Sequence, residues 1–203
     1  MPVLSKMLSS MASVIPGHQF RRGVSSEPTG DALVLQIKDI PLSGISQSDE
    51  IDWNLLERVD GSRVRDDCFA KKDDILFVCR GTNNFSFHLK SELPKAIVPN
   101  YFFIIRVHDQ SLNPSFLNWF LQQKPARRQI ERIRLGTSVS MISREGISEI
   151  EVPLPPLEKQ KQIFEFGLLT QRELTLLNRI NTRRYELTQQ MLIDNTITAG
   201  AHR

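Results

Sequence analysis

Val152-Pro153-Leu154-Pro155-Pro156-Leu157-Glu158-Lys159-Gln160 decides how this chain is organised. Three prolines stiffen its first half. Each fixes φ and removes a backbone donor, so a strand arriving here must stop. Beyond Pro156 there is no further proline, and the pattern reads as helix from Leu157 to about Ile197. A helix of about 40 residues is about 60 Å long at 1.5 Å per residue. The junction therefore divides the chain into a globular body, residues 1–152, and a long helix, residues 153–203, with a disordered tail expected from about 198.

The helix has an apolar seam. Ile163, Phe166, Leu177, Ile180, Leu187 and Met191 fall close to heptad spacing, and Leu174 lies beside them. Thr170, Glu173 and Arg184 interrupt it. So long a helix needs a second helix against this seam, from another copy or from a different protein.

Upstream, the pattern predicts a compact, mainly antiparallel sheet or open barrel with short helices, an α+β fold. Ser5 to Ile15 reads as a short helix, with Met7, Met11, Val14 and Ile15 on one side, ended by Pro16-Gly17. Residues 31–40 alternate, with Leu33, Leu35 and Ile37 facing one way, as in a half-buried strand. Residues 74–80 are apolar on both faces and read as a central strand, and 95–107 give two extended pieces broken at Pro99-Asn100. Asn113 caps a helix with Pro114 at its first position and Phe116, Leu117, Phe120 and Leu121 as its apolar face. Pro125 interrupts, and Ala126 to Leu135 resumes. A polar loop, residues 136–140, leads to a last strand over 147–154.

Composition bounds the function. The 203 residues are 40% hydrophobic and 24% charged with 11 Phe, enough to fill a core. The net charge of +3 permits a polyanionic partner without demanding one. Cys68 and Cys79 make no framework and no ligand cluster, which fits a reducing cytosol, and no apolar run approaches the roughly 18 residues that span a bilayer. The reading is a cytoplasmic protein without a membrane segment.

Catalytic signatures are missing from the sequence. It has no GxGxxG or GxxxxGK[ST] cradle, no GxSxG elbow and no metal-ligand spacing among His18, His88, His108 and His202. His88 reads as packed, not catalytic. Asn113-Pro114-Ser115-Phe116 resembles the base-holding motif of amino-methyltransferases, but a helix cap accounts for Asn-Pro fully.

Two groups of residues suit nucleic acid. Arg80-Gly81-Thr82-Asn83-Asn84 follows a strand, and Arg and Asn are the side chains that pair bidentately with base edges. The same letters also make an ordinary turn. Arg21, Arg22, Lys38, Arg127, Arg128 and Arg132 are cations suited to phosphates, with Thr137 and Ser138 as weaker donors. A solvated helix face held by surface pairs is the plainer reading of the arginines.

In order along the chain, IPGHQFRRG (15–23), LVLQIKDIPLSGI (33–45), DDILFVCRGT (73–82), LNPSFLNWFL (112–121), Gly136 and ISEIEVPLPPLEKQKQI (147–163) resemble the specificity subunits of type I restriction–modification systems. Asp73 stands where that family more often has Gly. The resemblance implies a target recognition domain followed by a conserved-region helix, in a half-length form. Family members usually carry two such units, whose long helices pack antiparallel and set the distance between DNA half-sites. It implies partners: double-stranded DNA, a methyltransferase subunit, a restriction subunit, and a second copy through Ile163, Phe166, Leu174, Leu177, Ile180, Arg184, Leu187 and Met191. It implies no catalysis and no cofactor in this chain, with S-adenosylmethionine and ATP/Mg on the partners. Under it, Arg80, Thr82, Asn83 and Asn84 become candidates for base reading. The alternative is a coiled-coil regulatory or adaptor protein of the same descent that does not read DNA; a methyltransferase or nuclease fragment is disfavoured by the missing motifs.

Overall fold

The computed structural model describes residues 4–21, 23–40, 51–81, 83–135 and 141–200. The chain forms two compact units, Met1–Phe164 and Glu165–Arg203. Nine strands and four α-helices are present among the described residues: β1 Ser5–Met7, β2 Ala12–Pro16, β3 Ala32–Val34, β4 Arg58–Val59, β5 Ile75–Val78, β6 Ser86–His88, β7 Ala96–Ile97, β8 Phe102–Val107, α1 Pro114–Leu121, α2 Lys124–Leu135, α3 Arg144–Ser148, β9 Glu151–Pro153 and α4 Leu157–Gly200.

The first unit is layered. A four-stranded antiparallel sheet runs in the order β2-β8-β5-β6. Its two inner strands alternate strictly. Ile75, Phe77 and Cys79 of the β5 segment, with Phe103 and Ile105 of β8, face a core shared with Phe116, Leu117, Phe120, Ala126, Ile130 and Ile147 from the helices. Leu76, Val78, Phe102 and Ile104 point the other way, onto Leu33, Leu35, Ala96 and Val98 of a second sheet. That sheet has the order β4-β3-β7, with β3 antiparallel to β4 and parallel to β7. Its far face, Ala32, Val34, Val59 and Ile97, is covered in turn by Phe20, Val24, Val64 and Phe69. The period of two in side-chain direction makes this stacking possible. The central-strand reading of 74–80 and the break at Pro99-Asn100 hold.

Three local readings are corrected. Ser5 to Ile15 is not a helix. β1 and β2 flank a 3-10 turn, Leu8–Ser10, which places Leu8 and Met11 on one side at its three-residue period, both fully buried. Val14 and Ile15 are β-branched, and Pro16 pushes Ile15 to extended backbone. Residues 31–40 are not a half-buried strand: β3 is covered on both faces, and Ile37–Asp39 is a 3-10 turn closed by Asp39 Oδ2 accepting from Gln36 N at 2.9 Å. In 147–154 only β9 is a strand, because Ser143 Oγ accepts from Gly146 N at 3.0 Å and caps α3. A Cβ on Gly146 would lie 2.3 Å from Ile133 Cγ2, so α2 and α3 meet here only through a glycine.

Two acidic side chains of the unit are matched to basic partners. Arg106 donates to Asp74 from Nε at 2.8 Å and from Nη2 at 2.7 Å, and the Asp74 side chain is 1% exposed. Asp73, next to it, has φ of +66°, the left-handed conformation that glycine adopts without cost. This explains why glycine suits that position, and it also shows what the aspartate adds. Asp73 Oδ1 accepts from His88 Nε2 at 3.2 Å, and His88 Nδ1 accepts from Ser115 Oγ at 3.2 Å. The three residues tie β6 to α1, so His88 is a packed histidine.

At the junction, β9 pairs with β1 and Leu154 N donates to Leu4 O at 2.7 Å. Gln160 is fully buried. Its Nε2 donates to Ser111 O and Pro155 O, and its Oε1 accepts from Asn113 N, all at 2.8 Å. Those bonds and the packing of Ile163 against the helix-side core place the first turns of α4 within the first unit. Ile163, the first of the seam positions, is partly buried against the domain core.

The second unit consists of the rest of α4. The whole helix has 44 residues, about 66 Å at 1.5 Å per residue, and its backbone stays helical to Gly200, past residue 198. From Phe166 to Ile193 its large apolar side chains are open to solvent, from Ile180 at 48% to Phe166 at 74% exposure, except Leu168, which is partly covered.

Burial holds the His88 pKa down at about 4, against 6.5 for an ordinary histidine, although Asp73 pulls the other way. The unfolded chain therefore takes up the proton first as pH falls. Stability from this site is complete above about 6.5 and is lost as pH falls toward 4. In urea unfolding followed at several pH values, the His88→Gln variant should lose less stability than the wild type across that window.

Candidate nucleic-acid interface

The turn after β5 is aimed by its backbone. Cys79 N donates to Tyr101 O at 2.9 Å and Cys79 O accepts from Ile142 N at 2.8 Å, so the strand end is held from both sides. Arg80 then forms an isolated antiparallel bridge with Met141 and leaves its side chain exposed. Gly81 takes φ of +84°, which turns the chain. Asn83 is exposed as well. Thr82 lies outside the described residues.

Asn84 behaves differently from its neighbours. It is only 3% exposed, and its Nδ2 donates to Val78 O at 2.9 Å. Its backbone carbonyl accepts from Arg127 Nη1. Asn84 thus closes the turn from inside, and its amide nitrogen is not available to a base edge. Arg127 is drawn in with it: the guanidinium is half-buried, and that burial lowers its pKa from the ordinary arginine value. Sequence reasoning placed Asn84 among the base readers and Arg127 among the phosphate ligands. In the structure both brace the turn, because a buried carbonyl and a nearby guanidinium satisfy each other.

α2 carries the rest of the site. Pro125 sits at its start and does not interrupt it, as suits a residue without a backbone donor. Ala126 and Ile130 are buried, and Gln129 lies across β9, donating from Nε2 to Glu151 O at 3.1 Å and accepting at Oε1 from Glu151 N at 2.9 Å. With that face fixed, Lys124, Arg128 and Arg132 fall at successive four-residue steps on the exposed side. Glu131, the acid among them, is paired with Arg134 at 3.2 Å. Arg128 and Arg132 make no ion pair with any described residue. Lys124 went unnoticed in the sequence, although its spacing from Arg128 and Arg132 was there to be read.

The Arg127 contact to Asn84 brings this cationic stripe beside the Arg80–Asn83 turn. Residues 136–140, which include Thr137 and Ser138, lie outside the described residues. They connect α2 to Met141, the bridge partner of Arg80. The other cations are not joined to this group. Lys38 is paired with Glu57 at 3.0 Å, a hydrogen bond that raises the lysine pKa and lowers that of the carboxyl. Arg21 is exposed beside a bridge to Gly23, and Arg22 lies outside the described residues. No described hydrogen bond or ion pair ties Lys38 or Arg21 to the turn.

The family described as type I restriction modification DNA specificity domain matches residues 45–183. The chain belongs to this family. The match takes in β4 to the middle of α4, and so includes both the turn and the stripe. Solved structures agree in fold. The HsdS subunit from Thermoanaerobacter tengcongensis has a TM-score of 0.57 at 17% identity, over 88% of this chain and 40% of that one. A chain from a structure of the type I R-M system has a TM-score of 0.62 at 17% identity, over 88% and 41%. The type I restriction-modification system S subunit from M. genitalium has a TM-score of 0.51 at 14% identity, over 87% and 41%. This specificity domain therefore spans about two fifths of the length of those chains. No curated protein matches the sequence. Among the described residues no group of His, Cys, Asp and Glu could hold a metal ion, and no helix is long and apolar enough to cross a membrane.

Asn84→Ala removes the donor to Val78 O and should lower stability by about 1–2 kcal/mol. Chemical denaturation measures that loss; an unchanged midpoint would mean that the turn is not braced from inside.

Proposed function

We propose that this chain is a DNA-reading specificity subunit. Residues 1–152 act as the target recognition domain and read one half of a bipartite site. Residues 153–203 act as the spacer helix that meets a second copy. Arg80 and Asn83 read base edges from the turn after β5. Lys124, Arg128 and Arg132 contact phosphates from α2, with Thr137 and Ser138 near them in sequence. Arg21, Arg22 and Lys38 are weaker candidates for the backbone, Lys38 because Glu57 already neutralises it.

The observation that carries this reading is the juxtaposition at Asn84. A rigidly held Arg/Asn turn lies beside a three-cation stripe that has no acid left unpaired on it. Base readout needs side chains fixed in direction, and backbone contact needs positive charge around them. One similar structure concerns complex assembly of the type I R-M system, and by extension this chain docks a methyltransferase subunit and, where one exists, a restriction subunit, in the cytoplasm. S-adenosylmethionine and ATP/Mg would belong to those partners, and this chain would contribute no catalytic step.

The test is DNA binding by the full chain with its methyltransferase subunit, titrated with salt. The logarithm of affinity should fall with slope of about −0.9 per phosphate neutralised. Arg128→Ala should weaken all sequences alike and reduce the slope by about one. Arg80→Ala should relax preference at one base position, read from the methylation pattern it produces. Dimerisation without salt-dependent DNA binding would replace this reading with that of a helical adaptor.

A further inference from the structure

Met141 is placed by the same backbone that aims Arg80. The two residues stand opposite one another in an isolated antiparallel bridge. The bond from Ile142 N to Cys79 O, at 2.8 Å, lies just outside the pair. Arg80 and Met141 are therefore a non-hydrogen-bonded pair, the kind whose side chains stand closest, roughly 5 Å apart at Cβ and on one face. Alternation fixes which face that is. Cys79 and Ile142 are both buried in the helix-side core. Their neighbours Arg80 and Met141 point the other way, and Met141 is 41% exposed.

An open methionine is out of character with its surroundings. Arg80, Asn83 and the stripe of Lys124, Arg128 and Arg132 are polar or cationic. Among the described side chains, Met141 is the large apolar one left exposed beside them. A phosphate offers a thioether nothing. A base edge in the major groove offers one apolar group, the C5 methyl of thymine.

We infer that Met141 is a specificity-determining residue that packs on a thymine methyl in the DNA half-site, next to the base read by Arg80. This rests on the proposed DNA-reading function and deepens it by naming a base. The spacing fits. Base pairs rise about 3.4 Å along the duplex, so a side chain roughly 5 Å from Arg80 meets a base pair about one or two steps away. The chemistry fits as well. Arginine reads a base by paired hydrogen bonds, whereas methionine is unbranched and polarisable and follows the contour of a methyl group. The strand end is held at Tyr101 O and at Ile142 N, so both side chains start from a fixed backbone. One half of the pair thus selects by hydrogen bonding and the other by burial.

The methylation pattern produced by the full chain with its methyltransferase subunit supplies the motif. Duplexes of that motif, each with one thymine replaced by deoxyuridine, then remove a single methyl group and leave every hydrogen-bonding group in place. One such replacement should weaken binding by about fourfold, the worth of one buried methyl. It should lie within about two base pairs of the position relaxed by Arg80→Ala. Met141→Gln, similar in length but polar, should bind the thymine and deoxyuridine duplexes equally, with its salt slope unchanged because no charge is lost. Met141→Leu should keep the difference. The inference is overturned by a motif with no A·T pair beside the Arg80 position, by a wild-type chain indifferent to every replacement, or by a methyl effect that survives in Met141→Gln. Equal weakening of motif and unrelated DNA by Met141→Gln overturns it too. Failure of this inference is distinct from failure of DNA reading. If Arg80→Ala still relaxes one base position while no methyl matters, the DNA-reading proposal stands and Met141 has no part in it. If the wild type shows no salt-dependent DNA binding, that proposal has failed and this inference falls with it.

Discussion

β5 has no solvent face, and the architecture of the domain follows from that constraint. Four consecutive apolar residues, Ile75 to Val78, need cover on both sides. Burying each such side chain is worth roughly 1.5–3 kcal/mol. The helices supply one cover and the β3 sheet supplies the other. A strand clamped in this way can hold a loop still at its end. The turn at Arg80 inherits its direction from a strand that cannot rotate without exposing one core or the other. Rigid support for a variable reading surface is a physical requirement of sequence discrimination, because base contacts are made or lost over small displacements.

The same layering explains what could be read in advance. β5 and the Phe102–Ile105 part of β8 were legible because runs that are apolar at every position fit a two-sided core. The Asn113-Pro114 cap and the long helix were legible from local chemistry alone. Leu8 and Met11 misled, since a 3-10 turn between two short strands repeats nearly as a helix does. Ile147 and Ile150 misled in the opposite direction, since the five-residue helix Arg144–Ser148 is too short for its apolar pattern to be told from a strand's. Of the site, the spacing of Arg128 and Arg132 shows in the sequence that they share a helix face. The inward turn of Arg127 does not show, because its partner is a carbonyl 43 positions away in the chain, which no local pattern records, and the Asn84 side chain reaches back to Val78 O.

α4 has two characters in one helix. Its first turns are held by Gln160 and Ile163 within the domain, with satisfied polar groups and a covered apolar side chain. Its remaining length has exposed leucines and an aromatic ring. A helix of this length gains little from intrinsic propensity once its apolar face meets water. Its hydrophobic content is best understood as contact surface, and the two charges within it as a limit on which contacts are allowed.

Gln129 adds a quieter constraint. Its amide occupies both backbone groups of Glu151 on the outer side of β9 and stands in for a neighbouring strand. β1 and β9 form a sheet of only two strands, and an unoccupied edge on such a ribbon would invite strands from other molecules. By closing that edge with a side chain, the domain suppresses indiscriminate aggregation through its sheet in a crowded solution, and leaves association to surfaces whose sequence can choose a partner.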